Sequence, residues 1–409
     1  GLKSIIDNIK ISILMPVYKV KPELLISAIE SVRRQSYLNW ELCIVDDGSD
    51  DVTIKKILEN YSENDNRIKI QLNKTNHGIS SATNDALDLA TGEFVGLLDN
   101  DDILTFDALE EVFAAIKNNP STDYIYSDEC KIDDNGLPIE IFSKPDWSPS
   151  ALINCMYTGH FSIYRKKLIY DIGKFRSKYD FSQDYDLALR ASSQANNIIH
   201  ISKVLYGWRM TEGSGAQGDK PYARISNIAA LQDFADNKRI LAKAEPEPYG
   251  NHLRILKSQN HEKVSIIIPS DNFTNISNTI DTIIENTLYE NYEIIIVTNS
   301  KIAAKLQPIK SYDQIRIAKY DLPFNFSDKC NYGAKMATGE IIVFFNDDVR
   351  VVSKDWLEII IEAFITTGAG IVGPKLLYEN YLIQHAGMVT GVRGLVGTAF
   401  HCLPHETQA

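Results

Sequence analysis

Three carboxylates close the run Gly92-Glu93-Phe94-Val95-Gly96-Leu97-Leu98-Asp99-Asn100-Asp101-Asp102. Its apolar part suits a strand buried on both faces of a sheet. Asp99 and Asp101 stand two residues apart, so continued strand geometry turns both to one face. Paired hard oxygen ligands suit magnesium or manganese, which bridge protein carboxylates to substrate phosphates. An isolated Asp-Asn-Asp-Asp is more often an acidic turn. The neighbouring elements favour the metal reading, with Asp101 as its position.

Those elements alternate. Ile11 to Val17 reads as a buried strand that ends beside Pro16, Tyr18 and Lys19, and Trp40 to Val45 as a second that ends in Asp46-Asp47-Gly48. Helical periods run over Pro22 to Gln35, Val52 to Tyr61 and Ile79 to Ala90. This alternation predicts an α/β fold with a mainly parallel sheet and helices on both faces. Parallel strands share one carboxyl edge, so Tyr18, Asp46, Asp47, Asp99 and Asp101 should converge there. A ring beside Tyr18 and a carboxylate accepting from base or ribose would hold a nucleotide, and a metal at Asp101 its diphosphate. No GxxxxGK[ST] or GxGxxG loop is present.

The chain has 409 residues, enough for two or three domains with ample core. Its net charge of −12 argues against a nucleic-acid binder. It does not exclude an anionic substrate, because a bound metal reverses the local sign. Cys43, Cys130, Cys155, Cys330 and Cys402 form no CxxC pair, which suits reduced thiols in a cytoplasmic protein. No signal peptide and no membrane-length apolar run appears, so any membrane contact, at the inner face, is expected to be peripheral or through a missing segment.

The pattern then repeats. Val264-Ser265-Ile266-Ile267-Ile268-Pro269 matches Ile11 to Pro16, and Tyr292 to Val297 matches Trp40 to Val45. Gly339 to Asp348 matches Gly92 to Asp101. This predicts two tandem domains over 1–240 and 263–409, joined by a linker at 241–262. In the second copy Thr298-Asn299-Ser300 replaces Asp46-Asp47-Gly48 and Asn346 replaces Asp99, while Asp348 keeps the metal position.

The sequence resembles the family 2 glycosyltransferases of GT-A fold. The likeness rests on Ser12 to Tyr18, on Ile44 to Ser49, on Leu98 to Asp102, on Ser182-Gln183-Asp184-Tyr185-Asp186-Leu187 and on Tyr206-Gly207-Trp208-Arg209. Pro323 to Ser327 and Ile383 to Gly387 resemble tandem-domain members that build bacterial surface polysaccharides, some of them rhamnosyltransferases. The resemblance implies two tandem Rossmann-like domains, the first complete and the second incomplete at its C-terminus. It implies inverting, metal-dependent transfer from a nucleotide-diphosphate sugar to an oligosaccharide or lipid-linked glycan. Pro16, Tyr18, Asp46, Asp47, Asp99 and Asn100 would then face the nucleotide, Asp101 a manganese or magnesium ion, and Asp184 would be the general base. Thr83 stands where many members carry arginine, and Gly207 where close relatives often have histidine.

A sugar hydroxyl is a poor nucleophile, so a carboxylate must accept its proton as the bond forms. In an inverting displacement that base lies opposite the leaving diphosphate, which requires a segment other than the one bearing Asp101. Asp184 meets this requirement, and it also suits the first turn of a helix. Asp128, Glu129, His160, Trp208 and Arg209 are candidates for sugar or acceptor contacts. Asp128 and Glu129 equally fit a turn, and Trp147 and Trp208 equally fit core. Gly213 to Gly218 reads as a closing loop. Two other classes stay open: a sugar nucleotidyltransferase, disfavoured by the absence of a Gly-rich basic loop after the first strand, and a non-catalytic glycan-binding or assembly subunit.

Overall fold

β1 (Ile11–Val17) is almost wholly buried, and every residue of β2 (Trp40–Asp46) is buried. Both belong at the centre of a covered sheet, and the computed structural model places them there. It describes residues 9–210, 221–248, 250–256, 262–306, 313–392 and 395–406. The chain divides into a first unit, 1–254, and a second, 255–409.

In the first unit β1 pairs in parallel with β2 and with β4 (Phe94–Leu97), and β2 with β3 (Ile68–Leu72). This half of the sheet is thus parallel, as the alternating pattern predicts. The sheet then changes character. β8 (Ser162–Arg165) runs antiparallel between β4 and β6 (Tyr124–Ile132), and β6 pairs in parallel with β9 (Ile198–Arg209). The short β5 (Ile103–Leu104) and β7 (Pro138–Phe142) complete nine strands. Helices Pro22–Arg33, Val52–Asn64 and Ile79–Leu89 cross between the first strands. Pro22 opens one of them, and Asp51 caps the next by accepting from the N–H of Thr53 at 2.7 Å and of Ile54 at 3.2 Å.

Two strands run through the expected 241–262 linker: β10 (Ala242–Glu247) and β11 (Gly250–Ile255) pair into a hairpin. Its Pro246 and Pro248 suggested an open tether, but the alternating exposure of Ala242 to Ala244 opens a strand that runs on through Pro246 to Glu247. The expected closing loop, 213–218, lies outside the described residues.

The second unit holds four parallel strands in the order β14 (Ile315–Lys319), β13 (Tyr292–Thr298), β12 (Val264–Pro269) and β15 (Ile341–Phe344). The repeat extends to individual hydrogen bonds. In the first unit Ser12 Oγ donates to Glu41 Oε1 at 2.7 Å and accepts the Gly92 N–H at 2.9 Å. In the second, Ser265 Oγ donates to Glu293 Oε1 at 2.7 Å and accepts the Gly339 N–H at 2.9 Å.

Glu41 shows what this buried polar node contributes. Lys69 Nζ lies 2.8 Å from its Oε2, and the Thr91 hydroxyl donates to the same oxygen at 2.9 Å. Burial opposes ionisation, but these partners hold the carboxyl down at about 2. A depressed folded value stabilises the fold above the usual glutamate value of 4.5 and loses that contribution as pH falls towards 2. Glu41→Gln is therefore expected to lower stability by about 2 kcal/mol at neutral pH. The deficit should shrink as acid is added. Denaturant midpoints of parent and variant at stepped pH measure both.

Candidate functional site

The carboxyl ends of β1, β2 and β4 share one edge, and the turn after β4 carries Asp99 to Asp102. Asp102 donates its N–H to the Asp99 carbonyl at 3.3 Å, closing that turn. Asp99 is half exposed. It lines a crevice with Pro16, Thr83, His160, Gln183 and Asp184. Residues from five separate segments thus meet in one place.

The nucleotide-side candidates divide on inspection. Tyr18 is 44% exposed at the edge, with Lys19 Nζ 5.1 Å from its ring centre. Pro16 lines the crevice, and its carbonyl accepts from Asn100 Nδ2 at 2.8 Å, which ties the β1 end to the β4 turn. Asp46 and Asp47 are both buried. Asp46 accepts from Ser49, and Asp47 accepts the backbone N–H of His77 at 3.0 Å and of Gly78 at 2.9 Å. Their carboxylates shape the loops around the edge. Gly78 has φ +92°, and a side chain there would strike the Asp180 carboxylate.

Charge is concentrated after β4. Burial, then the Asp99 charge, raises the Asp101 carboxyl above the usual range. The same causes push Asp102 up to about 8. Asp102 is enclosed: Tyr206 Oη donates to its Oδ2 and the Arg209 N–H to its Oδ1, each at 2.7 Å. Asp99, Asp102 and His160 bring ligand atoms within 4.8 Å of one another; Asp101 is not in that group. Crowded carboxylates with raised values are the donor set that a hard divalent cation neutralises, so the residues fit one.

His160 faces two carboxylates. Its Nε2 lies 3.6 Å from Asp99 Oδ2 and its Nδ1 3.7 Å from Glu129 Oε2. Burial lowers its basicity, but the two carboxylates outweigh this and hold the imidazole charged well above its ordinary value. The ring stacks on Tyr206 at 4.8 Å, with Trp208 at 5.4 Å.

The register between β6 and β9 shifts around Asp128 and Glu129, so these neighbours find separate partners. Glu129 meets His160 and Lys144. Asp128 Oδ1 accepts from the Lys144 N–H at 2.9 Å and pairs with His200 Nε2 at 2.8 Å. Arg209 is buried and donates to the carbonyls of Asp101, Asp133 and Asp134. Gly207 admits no side chain, because Ile103 packs 2.9 Å from where its Cβ would stand.

Asp184 sits in the first turn of the helix Gln183–Ser192, where the Tyr185 N–H donates to its Oδ1 at 2.8 Å. Burial raises its carboxyl above the ordinary value. That helix is anchored by Asp186, which is buried between Arg176 and Arg190. Sequence reasoning missed Lys144 and Gln183 and gave Asp102 no role of its own. Gln183 lines the crevice, and its Oε1 is buried without a partner among the described residues. Its place beside Asp184 was the available signal. Lys144 gave none, because its role comes from packing, and Asp102 gave only its place in the acidic run.

In the second unit Asp348 is exposed, and Lys329, fully buried, pairs with Asp271 at 2.6 Å. Lys329 Nζ also lies 3.4 Å from the carbonyls of Ser270 and Val297, at the ends of β12 and β13.

The family model described as glycosyl transferase family 2 matches residues 12–173 and 265–395. The chain is 37% identical over 409 residues to "Uncharacterized protein y4gI" of Sinorhizobium fredii, covering 97% of this chain and 45% of that protein. It is 32% identical to "O-antigen biosynthesis protein RfbC" of Myxococcus xanthus, covering 96% of this chain and 31% of the relative. It is 38% identical over 234 residues to "UDP-Glc:alpha-D-GlcNAc-diphosphoundecaprenol beta-1,3-glucosyltransferase WfgD" of Escherichia coli, covering 56% of this chain and 88% of the relative. The chain thus spans less than half the length of the first two relatives.

Proposed function

The chain belongs to glycosyl transferase family 2, and from that premise we propose that its first unit, residues 1–254, transfers a sugar from a nucleotide-diphosphate sugar to a saccharide acceptor, with inversion, in bacterial surface-polysaccharide synthesis. The observation that carries this reading is the meeting of Asp99, His160 and Asp184 in one crevice, from three distant segments.

Pro16 and Tyr18 border the nucleoside end, with Asp46 and Asp47 bracing its loops, and Asp99 faces the ribose. Asp101, with Asp99, would hold magnesium or manganese, which when bound offsets the charge developing on the leaving diphosphate. Asp184 accepts the acceptor hydroxyl proton. The freed oxygen bonds to the anomeric carbon while the bond to the diphosphate breaks, and the nucleoside diphosphate leaves. His160 presents an N–H towards the donor.

The acceptor class is an oligosaccharide or a lipid-linked glycan, in keeping with the lipid-diphosphate acceptor in the WfgD name. Among the described residues no helix is long and apolar enough to cross a membrane. The site of action proposed is the cytoplasm or the inner face of its membrane, by peripheral contact.

Screening nucleotide sugars by thermal shift and by donor hydrolysis with manganese present tests the reading. A true donor should raise the midpoint by mass action and release nucleoside diphosphate. Release of pyrophosphate from a nucleoside triphosphate and a sugar phosphate would instead indicate a nucleotidyltransferase. Glycan binding without turnover would indicate an assembly subunit.

The second unit is assigned no transfer in this chain. It lost the carboxylates corresponding to Asp46, Asp47 and Asp99, and Lys329 already occupies Asp271. Asp348→Ala should leave turnover within about twofold of the parent, since two or three missing hydrogen bonds already cost a ligand tenfold or more there. Transfer lost in Asp348→Ala but kept in Asp101→Ala would reverse the assignment of the two halves.

A further inference from the structure

A lysine with no access to solvent stands behind the crevice. The Lys144 side chain is 0% exposed. A buried ammonium is costly unless each N–H finds an acceptor. Here Nζ meets Glu129 Oε2 at 2.9 Å, donates to the Thr158 carbonyl at 2.8 Å, and donates to the His160 carbonyl. Three donors have three acceptors, and all lie on the two segments that carry Glu129 and His160.

The same Glu129 oxygen that Lys144 holds also accepts the His160 backbone N–H at 3.1 Å and lies 3.7 Å from the ring Nδ1. One carboxylate oxygen therefore engages both the main chain and the ring of His160. Tyr206 and Trp208 fix the plane of the ring from the side. Glu129 stands on the Nδ1 side of the ring, and Nε2 is turned to Asp99. No ligand in the crevice can touch Lys144, yet its removal would free each of these restraints.

We propose that Lys144 is a positioning residue: acting through Glu129, it holds the His160 ring with Nε2 directed at the Asp99 end of the crevice, where a donor oxygen would receive that N–H. This rests on the donor reading above. A misplacement of about 1 Å in such a group lowers a rate by as much as 10²-fold. A lysine that only glued two segments together would affect stability and leave the ring unaltered.

The test is a double-mutant cycle with Lys144→Met and His160→Ala, read as kcat and KM for donor turnover, with thermal midpoints alongside. Lys144→Met should lower kcat about tenfold or more while KM stays within about threefold. In the His160→Ala background the same change should alter kcat by less than about twofold, because the pathway it acts through is gone. Equal losses in both backgrounds would overturn the proposal. If Lys144→Met does not fold, Glu129→Gln, which keeps the side-chain volume, takes its place in the cycle.

A second arm needs no turnover. The His160 ring ¹⁵N resonances, identified by their disappearance in His160→Ala, should shift in Lys144→Met and in Glu129→Gln. Unchanged ring resonances in both would sink the positioning role. A parent that turns over no nucleotide sugar, with shifted resonances, refutes the donor reading and leaves the placement of the ring supported.

Discussion

Asp184→Asn is expected to lower sugar transfer by on the order of 10²-fold or more, the usual scale for a lost general base, while donor affinity stays close to that of the parent. Asparagine keeps the size of the side chain and suits a helix first turn, so the helix Gln183–Ser192 should persist. It cannot take a proton from the acceptor. The fold should tolerate the change, since burial already penalises the charged form of Asp184. That same burial sets the pH dependence. The base works only when ionised, and its value lies above the ordinary 3.8, so parental transfer should fall in acid with a midpoint above 3.8. The residual rate of the variant should lack that limb. Initial rates across pH, with donor affinity measured separately, decide the matter. A variant that lost donor binding but transferred normally at saturation would place Asp184 on the nucleotide side.

Much of this site was legible because strand order in a parallel sheet is a strong constraint. Buried runs such as Ile11 to Val17 declare central strands, and their carboxyl ends must share an edge. The sheet edge that bears Tyr18, Asp46, Asp47 and Asp99 could thus be placed from periodicity alone. What each carboxylate then does was not legible. Asp47 accepts backbone N–H groups of His77 and Gly78, a loop about thirty residues on, and nothing local to Asp47 announces it. Arg209 likewise donates to carbonyls of two turns remote in sequence. The antiparallel insertion of β8 between β4 and β6 was also hidden, since a short apolar strand has the same pattern in either direction. That insertion is what carries His160 to Asp99. The buried lysine Lys144 is the extreme case, for its hydrophilic character predicts a surface and only its three acceptors explain its place.

Asp101→Ala should abolish metal-supported donor turnover and leave the fold intact. Loss of a Lewis acid that steadies a leaving diphosphate removes several kcal/mol of transition-state stabilisation, so a fall of 10³-fold or more is expected. The crowding of carboxylates gives this prediction a second readout. Burial and the charge of Asp99 raise the Asp101 carboxyl, which means that ionised Asp101 opposes folding when no cation is present. The variant should therefore be as stable as the parent, or more so, in chelator at neutral pH. Added manganese should stabilise the parent and should stabilise the variant much less, by the mass-action linkage between binding and folding. Asp102→Asn makes the control, because Asp102 accepts from Tyr206 and the Arg209 N–H inside the protein and its loss should disturb the turn itself. If Asp101→Ala turned over donor at the parental rate in excess chelator, metal-assisted departure of the diphosphate at this turn would be wrong. Asp99, His160 and Asp184 would then have to do the chemistry without it.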